Sequence, residues 1–457
     1  MRHAEAAVDT PETSSSEENS TPRNLVEETL ESWPNLDAEQ KRELFRNLPR
    51  EDEDEVFLRL PTSDQASILT DATAAQRRIW VRLLAPDDAA DVVQELLVED
   101  RGALVELLDP QTRIEVKALL AYREDVAGGL MSPRFARVRP EMSAEEAIRY
   151  LRAQTRANVE TIYYAYILGN DQKLLGVVSL RELFEASHEK RVDEIMHRRE
   201  DIITVTDQQD QEQVARIFSK WDFFALPVVD SLDRMQGIVT VDDVVSVVQQ
   251  EASEDIQKFG GMEALDAPYL EIGILHMVKK RAGWLLILMI GEMFTATAMG
   301  YYEIQIQQAV VLALFIPLII SSGGNSGSQA STLIIRAMAL GEVRIKDWWK
   351  VLMREMFSGL ALGGVLGIVG FCRIFFWPSS ADVYGSHYFL VALTVGFSLV
   401  GIVMWGSLAG SMLPFFLKKM KFDPATASAP FVATLVDVTG LVIYFTVASL
   451  ILRGTLL

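Results

Sequence analysis

The chain has 457 residues, 49% of them hydrophobic, with 43 Lys+Arg against 63 Asp+Glu, a balance that disfavours nucleic acid and attracts cations. The charge divides sharply: residues 281–457 hold 11 basic and 8 acidic side chains, whereas the residues before them hold 32 and 55. Cys372 is the sole cysteine and lies in an apolar run, which excludes a disulfide framework or a thiolate metal site, and the polar first residues lack the apolar core of a secretory signal.

Residues 1–22 are rich in Ser, Thr, Glu and Pro, a composition that predicts a disordered tail. Over residues 23–124 helical periodicity comes in short units that open on proline, at Leu48-Pro49, Leu60-Pro61, Pro86 and Pro110. The last three prolines recur at nearly even spacing, the pattern of an α-helical solenoid in which each unit buries its apolar face on the next. Acids such as Asp52, Glu53, Asp54, Glu55, Asp87, Asp88 and Asp91 are expected to sit at helix starts, where negative charge is favourable.

Residues 125–190 and 191–250 repeat one pattern of strand, amphipathic helix, strand, turn, strand and helix. Gly129-Leu-Met-Ser132 opens one copy and Val192-Asp-Glu-Ile-Met196 the other; Leu174-Leu-Gly-Val-Val-Ser-Leu-Arg-Glu-Leu aligns position for position with Met235-Gln-Gly-Ile-Val-Thr-Val-Asp-Asp-Val. The section resembles a tandem pair of α/β CBS domains, and by that resemblance ATP is a candidate regulatory ligand in the cleft between copies. Residues 242–260 then read as one helix carrying Asp242, Asp243, Glu251, Glu254 and Asp255, carboxylates that repel along a shared face. Residues 244–281 form a connecting helix and membrane entry.

Residues 282–457 contain apolar runs at 284–302, 304–333, 357–377, 388–417 and 430–452, long enough for five transmembrane helices. Basic residues cluster at Lys279, Lys280 and Arg281, between the second and third runs, and between the fourth and fifth. All three clusters fall on one side only if the N-terminus is cytoplasmic and the C-terminus outside. Within the second run, residues 321–332 offer hydroxyls, Asn325, Gln329 and three glycines but no charge. Backbone loosened by glycine at that depth must be buried in protein or line water, which makes this stretch a candidate pore wall. It is not a Walker loop, because no lysine follows its glycines. Asp437 lies within the last run with Thr434 and Thr439 nearby and reads as an ion-path acid, whereas Glu292, within the first run, has no polar cluster around it and reads as structural. The glycine ladder Gly359, Gly363 and Gly367 reads as close helix packing. No nucleophile-base arrangement exists and the five histidines are scattered, which argues against an enzyme.

In this order the parts resemble the bacterial MgtE family of magnesium channels. The specific motifs are the Gly-Gly-Asn-Ser-Gly-Ser-Gln core of residues 323–329 and Ala429-Pro-Phe-Val-Ala-Thr-Leu-Val-Asp437. The resemblance implies a homodimer in the inner (plasma) membrane, in contact with lipid and not with nucleic acid. Its pore would be built from the second and fifth helices of both subunits, with Asp437 coordinating Mg²⁺ beside Asn325, Gln329 and Gly324. It also implies that cytosolic Mg²⁺, bound between N domain, CBS pair and connecting helix through Asp222, Asp243, Glu254 and Asp255, closes the pore. Ser246 stands where a further acid is expected. Another permeant, Co²⁺ or Mn²⁺, and an ion-coupled carrier using Glu292 are the alternatives.

Overall fold

Proline sets the helix starts of the first half, because its fixed φ suits a first turn whose N–H groups need no helical partner. The computed structural model describes residues 25–155, 159–265, 269–270, 272–378 and 380–457; the tail expected over residues 1–22 lies outside them. The chain divides into two units, the boundary falling between Val244 and Val245.

In the first unit eight helices follow one another: α1 (Leu25–Ser32), α2 (Ala38–Arg46), α3 (Arg50–Arg59), α4 (Thr62–Asp71), α5 (Ala74–Trp80), α6 (Pro86–Glu95), α7 (Val98–Val105) and α8 (Pro110–Leu119). Pro49 and Pro61 cap α3 and α4, while Pro86 and Pro110 open α6 and α8. Trp80 holds this array together, stacking on Phe57 at 5.5 Å and meeting Phe45 edge-on at 5.3 Å. Its indole N–H donates to Asp54 Oδ1 at 3.1 Å, so Asp54 is an anchor for the core and not only a helix-start acid.

The two repeats follow with α9 (Ala127–Leu130), β1 (Arg137–Val138), α10 (Ala144–Thr155), β2 (Tyr164–Leu168), β3 (Leu174–Ser179), α11 (Leu180–Glu185), α12 (Val192–Ile195), β4 (His197–Arg198), β5 (Val205–Thr206), α13 (Gln211–Trp221), β6 (Ala225–Val229) and β7 (Met235–Thr240). In each copy a short strand pairs parallel with the next, which pairs antiparallel with the third, and both copies shift register at matching places, Ile167/Leu168 and Val228/Val229. The opening segments cross over. β4 pairs with β3, and Ser132 bridges Ile238 on β7, so each copy's lead lies on the other copy's sheet. Gly176 and Gly237 make this possible: a Cβ on Gly176 would lie 2.5 Å from Met196 Sδ, and one on Gly237 2.6 Å from the Ser132 carbonyl.

α14 (Val241–Phe259) carries the chain out of β7 and ends at Gly260-Gly261, where Gly261 takes φ +75°. The second unit then contains α15 (Ile274–Tyr301), α16 (Glu303–Gln308), α17 (Ile316–Ala339), α18 (Trp348–Phe375), α19 (Ser380–Tyr384), α20 (Tyr388–Lys419) and α21 (Ala429–Ile451). Five helical stretches among the described residues are long and apolar enough to cross a membrane, the second being Val310–Ala339. That span does not begin at residue 304: the glutamine-rich α16 is a separate helix, and Ala309 breaks away at φ −126°, ψ 67°.

The larger correction concerns the glycine-rich stretch. It is not loosened backbone but an unbroken part of α17, whose main-chain groups are satisfied within the helix, as membrane depth requires. Its glycines serve contact. A Cβ on Gly327 would stand 3.0 Å from the Gly406 carbonyl, and one on Gly410 only 2.0 Å from the Gly327 carbonyl, so α17 and α20 touch backbone to backbone. Ser326 Oγ and Ser407 Oγ, 2.7 Å apart, close the same seam. The ladder on α18 behaves as expected, with Cβ positions of Gly359, Gly363 and Gly367 falling 2.9, 2.8 and 2.7 Å from backbone atoms of α20.

Candidate functional site

Because one face of α17 is consumed by α20 and α21, its other face is left uncovered in the protomer. Gly323, Gly324, Ser326, Gly327, Ala330 and Ser331 are buried, whereas Ser321, Asn325, Gln329 and Thr332, about one turn apart, are exposed. Asn325 donates from Nδ2 to Ser321 Oγ at 3.4 Å, and Thr332 Oγ1 donates to the Ser328 carbonyl at 2.8 Å. Asp437, half-buried on α21, borders this polar stripe: a Cβ on Gly324 would lie 3.8 Å from Asp437 Oδ1. Of the α17 residues expected beside Asp437, the structure brings Gly324 to it, on the buried face, while Asn325 and Gln329 lie on the adjoining exposed face.

α15 runs parallel to α21 in fixed register. Trp284 meets Phe431 at 6.3 Å and donates to Ser428 Oγ at 3.2 Å; farther along, a Cβ on Gly291 would lie 2.7 Å from Thr434 Cγ2, and Tyr302 stacks on Phe445 at 4.8 Å. That register sets Glu292 at the depth of Asp437.

The second cluster of acids lies in the first unit. Asp243, in the opening turn of α14, accepts hydrogen bonds from Thr240 Oγ1 at 2.6 Å and Thr240 N at 3.3 Å. Around it the structure gathers Asp242 with Asp87, Asp88 and Asp91 of α6, and Glu160, whose carboxylate accepts from Ser132 Oγ at 3.2 Å. Burial, then the charges of Glu160, Asp243 and Asp88, push the Asp87 carboxyl well above the usual carboxylate range. Asp243 is pushed up to about 7 by burial, which outweighs the opposing Thr240 hydrogen bonds, with the charges of Asp242 and Asp88 adding to the rise. Asp91 also rises to about 7, through desolvation of its carboxylate and then the charges of Asp88 and Asp243, but the residue is exposed and solvent screens much of that effect. Among the described residues no group of three or more His, Cys, Asp or Glu side chains is placed to hold a metal ion.

Such crowding has a sign in pH. A carboxyl whose folded pKa exceeds its unfolded value near 4 holds protons that the unfolded chain has released, so it costs stability progressively as pH rises across that window. Asp87, only 8% exposed and with Oδ1 lacking a hydrogen-bond partner, is the clearest case. In chelator at pH 8, Asp87→Asn is expected to raise the temperature at which residues 25–240 become protease-sensitive by about 2–4 °C per kcal/mol of relieved repulsion. The gain should shrink toward pH 5; a loss of stability at pH 8 would contradict the assignment.

The other acids are placed differently. Asp222 is exposed and caps α13 in a left-handed conformation, φ 52°. Glu254 and Asp255 lie farther along α14, and Glu254 is already paired with Lys258, which also donates to Asp423 Oδ2 at 2.7 Å. Burial would lower the Lys258 pKa, but hydrogen bonds with Asp423 and Glu254 outweigh it and raise it above the usual lysine range. Asp423 in turn caps the turn Pro424–Thr426 that leads into α21. Sequence reading missed Lys258 and Asp423, which lie far apart in the chain. It placed Asp87, Asp88 and Asp91 at a helix start without seeing that this end faces other carboxylates.

The known proteins that this chain is similar to agree with these parts. Matches cover residues 316–447 to the MgtE family described as a divalent cation transporter, 26–125 to the MgtE intracellular N domain, and 125–189 and 192–250 to CBS domains. The magnesium transporter MgtE of Thermus thermophilus is 43% identical over 373 residues, 80% of each chain. The protein of the same name from Enterococcus faecalis is 33% identical over 339 residues, 74% of this chain and 72% of that one; the one from Bacillus subtilis is 30% identical over 363 residues, 79% and 78%. Among solved structures, the cytosolic domain of the Mg²⁺ channel MgtE in complex with ATP is 41% identical, covering 49% of this chain and 90% of that one at a TM-score of 0.45. With its helical N domain, CBS pair and five apolar helices, the chain is a multi-pass membrane protein and belongs to the MgtE family of divalent cation transporters.

Proposed function

We propose that the chain passes Mg²⁺ across the inner (plasma) membrane through a pore that two copies build from α17 and α21. Asp437 is the acid that meets the hydrated ion, with Asn325, Gln329 and the backbone at Gly324 as its polar neighbours. The observation that carries this reading is the uncharged polar stripe of α17, left exposed in the protomer beside the half-buried Asp437. Mg²⁺ gives up water reluctantly and takes one or two carboxylates with several waters, which suits a lone acid among amides and carbonyls. The relatives named as magnesium transporters favour Mg²⁺ over Co²⁺ or Mn²⁺. Competition of those ions against Mg²⁺ uptake into vesicles tests the choice, and uptake that requires a proton or sodium gradient would make the protein a carrier.

The acidic half acts as a cytosolic sensor, with the N-terminus inside and the C-terminus outside, in keeping with the basic clusters at one set of helix ends. When the ion is scarce, Asp87, Asp88, Asp91, Glu160, Asp242 and Asp243 repel one another. Mg²⁺ that neutralises them draws the helical domain, CBS pair and α14 together and closes the pore. Asp222 and Asp255 serve as further acids of this sensor, and Glu254 joins only by exchanging Lys258 for the ion. ATP is its second ligand, supported by a cleft of about 410 Å³ between the repeats lined by Tyr164, Ser179, Glu182, His197, Ile202 and Phe223. In vesicles whose cytosolic face is set to rising Mg²⁺, uptake by the intact chain should fall while a chain lacking residues 1–250 continues to transport. Equal inhibition of both would remove the sensor, and an inhibition curve indifferent to ATP would remove the nucleotide.

A further inference from the structure

The first span carries a carboxylate that the reading above leaves without work. Glu292 of α15 is exposed in the single chain, and it lies close enough for its charge to be felt at Asp437. The register of the two helices explains the approach: Gly291 packs on Thr434, and the two helices advance together from there, so Asp437 comes level with the turn of α15 that holds Glu292 and Thr295. Among the described residues neither acid forms a salt bridge or a hydrogen bond. The nearest basic residue of α15, Arg281, lies three turns back, about 16 Å along the axis.

A second observation points to a missing partner. Thr295 follows Glu292 by three residues and so neighbours it on the helix, turned inward where Glu292 is exposed. Its side chain is buried, 6% exposed, and its hydroxyl has no hydrogen-bond partner. A threonine in a span ordinarily satisfies its hydroxyl on the carbonyl four residues earlier, as Thr297, Thr434, Thr439 and Thr446 do here. Two uncompensated carboxylates and an orphan hydroxyl at one depth form a set that is complete only with a cation and its water.

We propose that Glu292 is a second ion-binding carboxylate of the permeation path, giving each protomer, together with Asp437, the double negative charge that a hydrated divalent cation neutralises. This rests on the pore reading and deepens it. Thr295 holds one of the ion's waters, and the paired charge is what sets a dication ahead of Na⁺ or K⁺.

The test is Mg²⁺ uptake by the full chain in proteoliposomes as external Mg²⁺ is varied. Glu292→Gln is expected to raise the half-saturating concentration at least tenfold and to weaken discrimination against Na⁺, while Glu292→Asp shifts it two- to fivefold. A merely structural role would lower the maximal rate at an unchanged half-saturation, and that result overturns the proposal. So does a proton current that accompanies uptake and disappears in Glu292→Gln, since it would make the group a relay. Should Glu292→Gln not assemble, Glu292→Asp decides alone, an unshifted curve sinking the idea. Asp437→Asn run in parallel separates the two levels: loss of uptake there with a normal Glu292→Gln curve defeats this inference and spares the pore, whereas normal uptake in Asp437→Asn removes both.

Discussion

Asp437→Ala is expected to abolish Mg²⁺ flux while leaving the chain folded and its assembly unchanged. The argument is one of magnitudes. A dication held about 5 Å from a carboxylate across one water layer, at an effective dielectric near 20, is attracted by roughly 7 kcal/mol before desolvation is counted. If a third of that survives, about 2 kcal/mol, the loss is about thirtyfold per carboxylate, and the proposed two-copy pore would present Asp437 twice. The fold loses little in return, because Asp437 forms no salt bridge or hydrogen bond among the described residues, so its removal orphans no partner. Asp437→Asn keeps the volume and should fall with the alanine variant, which separates charge from shape. Size-exclusion of the purified variant checks assembly, and uptake at the native rate would show that the ion takes another route.

What the sequence showed of this site follows from what kind of signal each part leaves. Asp437 and the polar residues of α17 stand out because hydrocarbon makes polarity costly, so a dozen small and polar residues inside an apolar run cannot be accidental. The proline-opened helices and the repeated Gly-[Ile/Val]-Val strand likewise write their geometry locally. Three features were not local. Helix and loosened loop were not separable from composition at residues 321–332, since the contact that these glycines serve is with the backbone of α20, some eighty residues on. The acids of α6 looked like ordinary helix-start charges, and only the fold brings Asp87 and Asp91 to Asp243. Lys258 and Asp423 carry no mark at all until α14 and the α20–α21 connection are seen together.

Substituting Gly410 should have the largest effect of any single change on the fold of the second unit. The ideal Cβ there would lie 2.0 Å from the Gly327 carbonyl oxygen, 2.7 Å from its carbonyl carbon and 2.9 Å from its Cα. Those are backbone atoms of a helix, which cannot swing aside as a side chain can, so α17 and α20 must part along the seam that Gly323–Gly406 and Ser326–Ser407 also occupy. Overpacking of a tight core costs about 1–3 kcal/mol when neighbours can adjust, and here they cannot. Gly410→Val is therefore expected to leave little folded protein in the membrane, with Gly410→Ala intermediate. Gly364 on α18 provides the contrast: nothing lies within 4 Å of its Cβ position, and Gly364→Ala should be neutral or gain up to about 1 kcal/mol in helix propensity. The consequence reaches function, because the same contact fixes which face of α17 turns away from α20 and so presents Asn325 and Gln329. A Gly410→Ala chain that survives should transport Mg²⁺ more slowly than its folded amount explains. Monodisperse Gly410→Val with normal uptake would mean that the helices do not touch here, and the stripe beside Asp437 would then have no reason to point where the pore reading needs it.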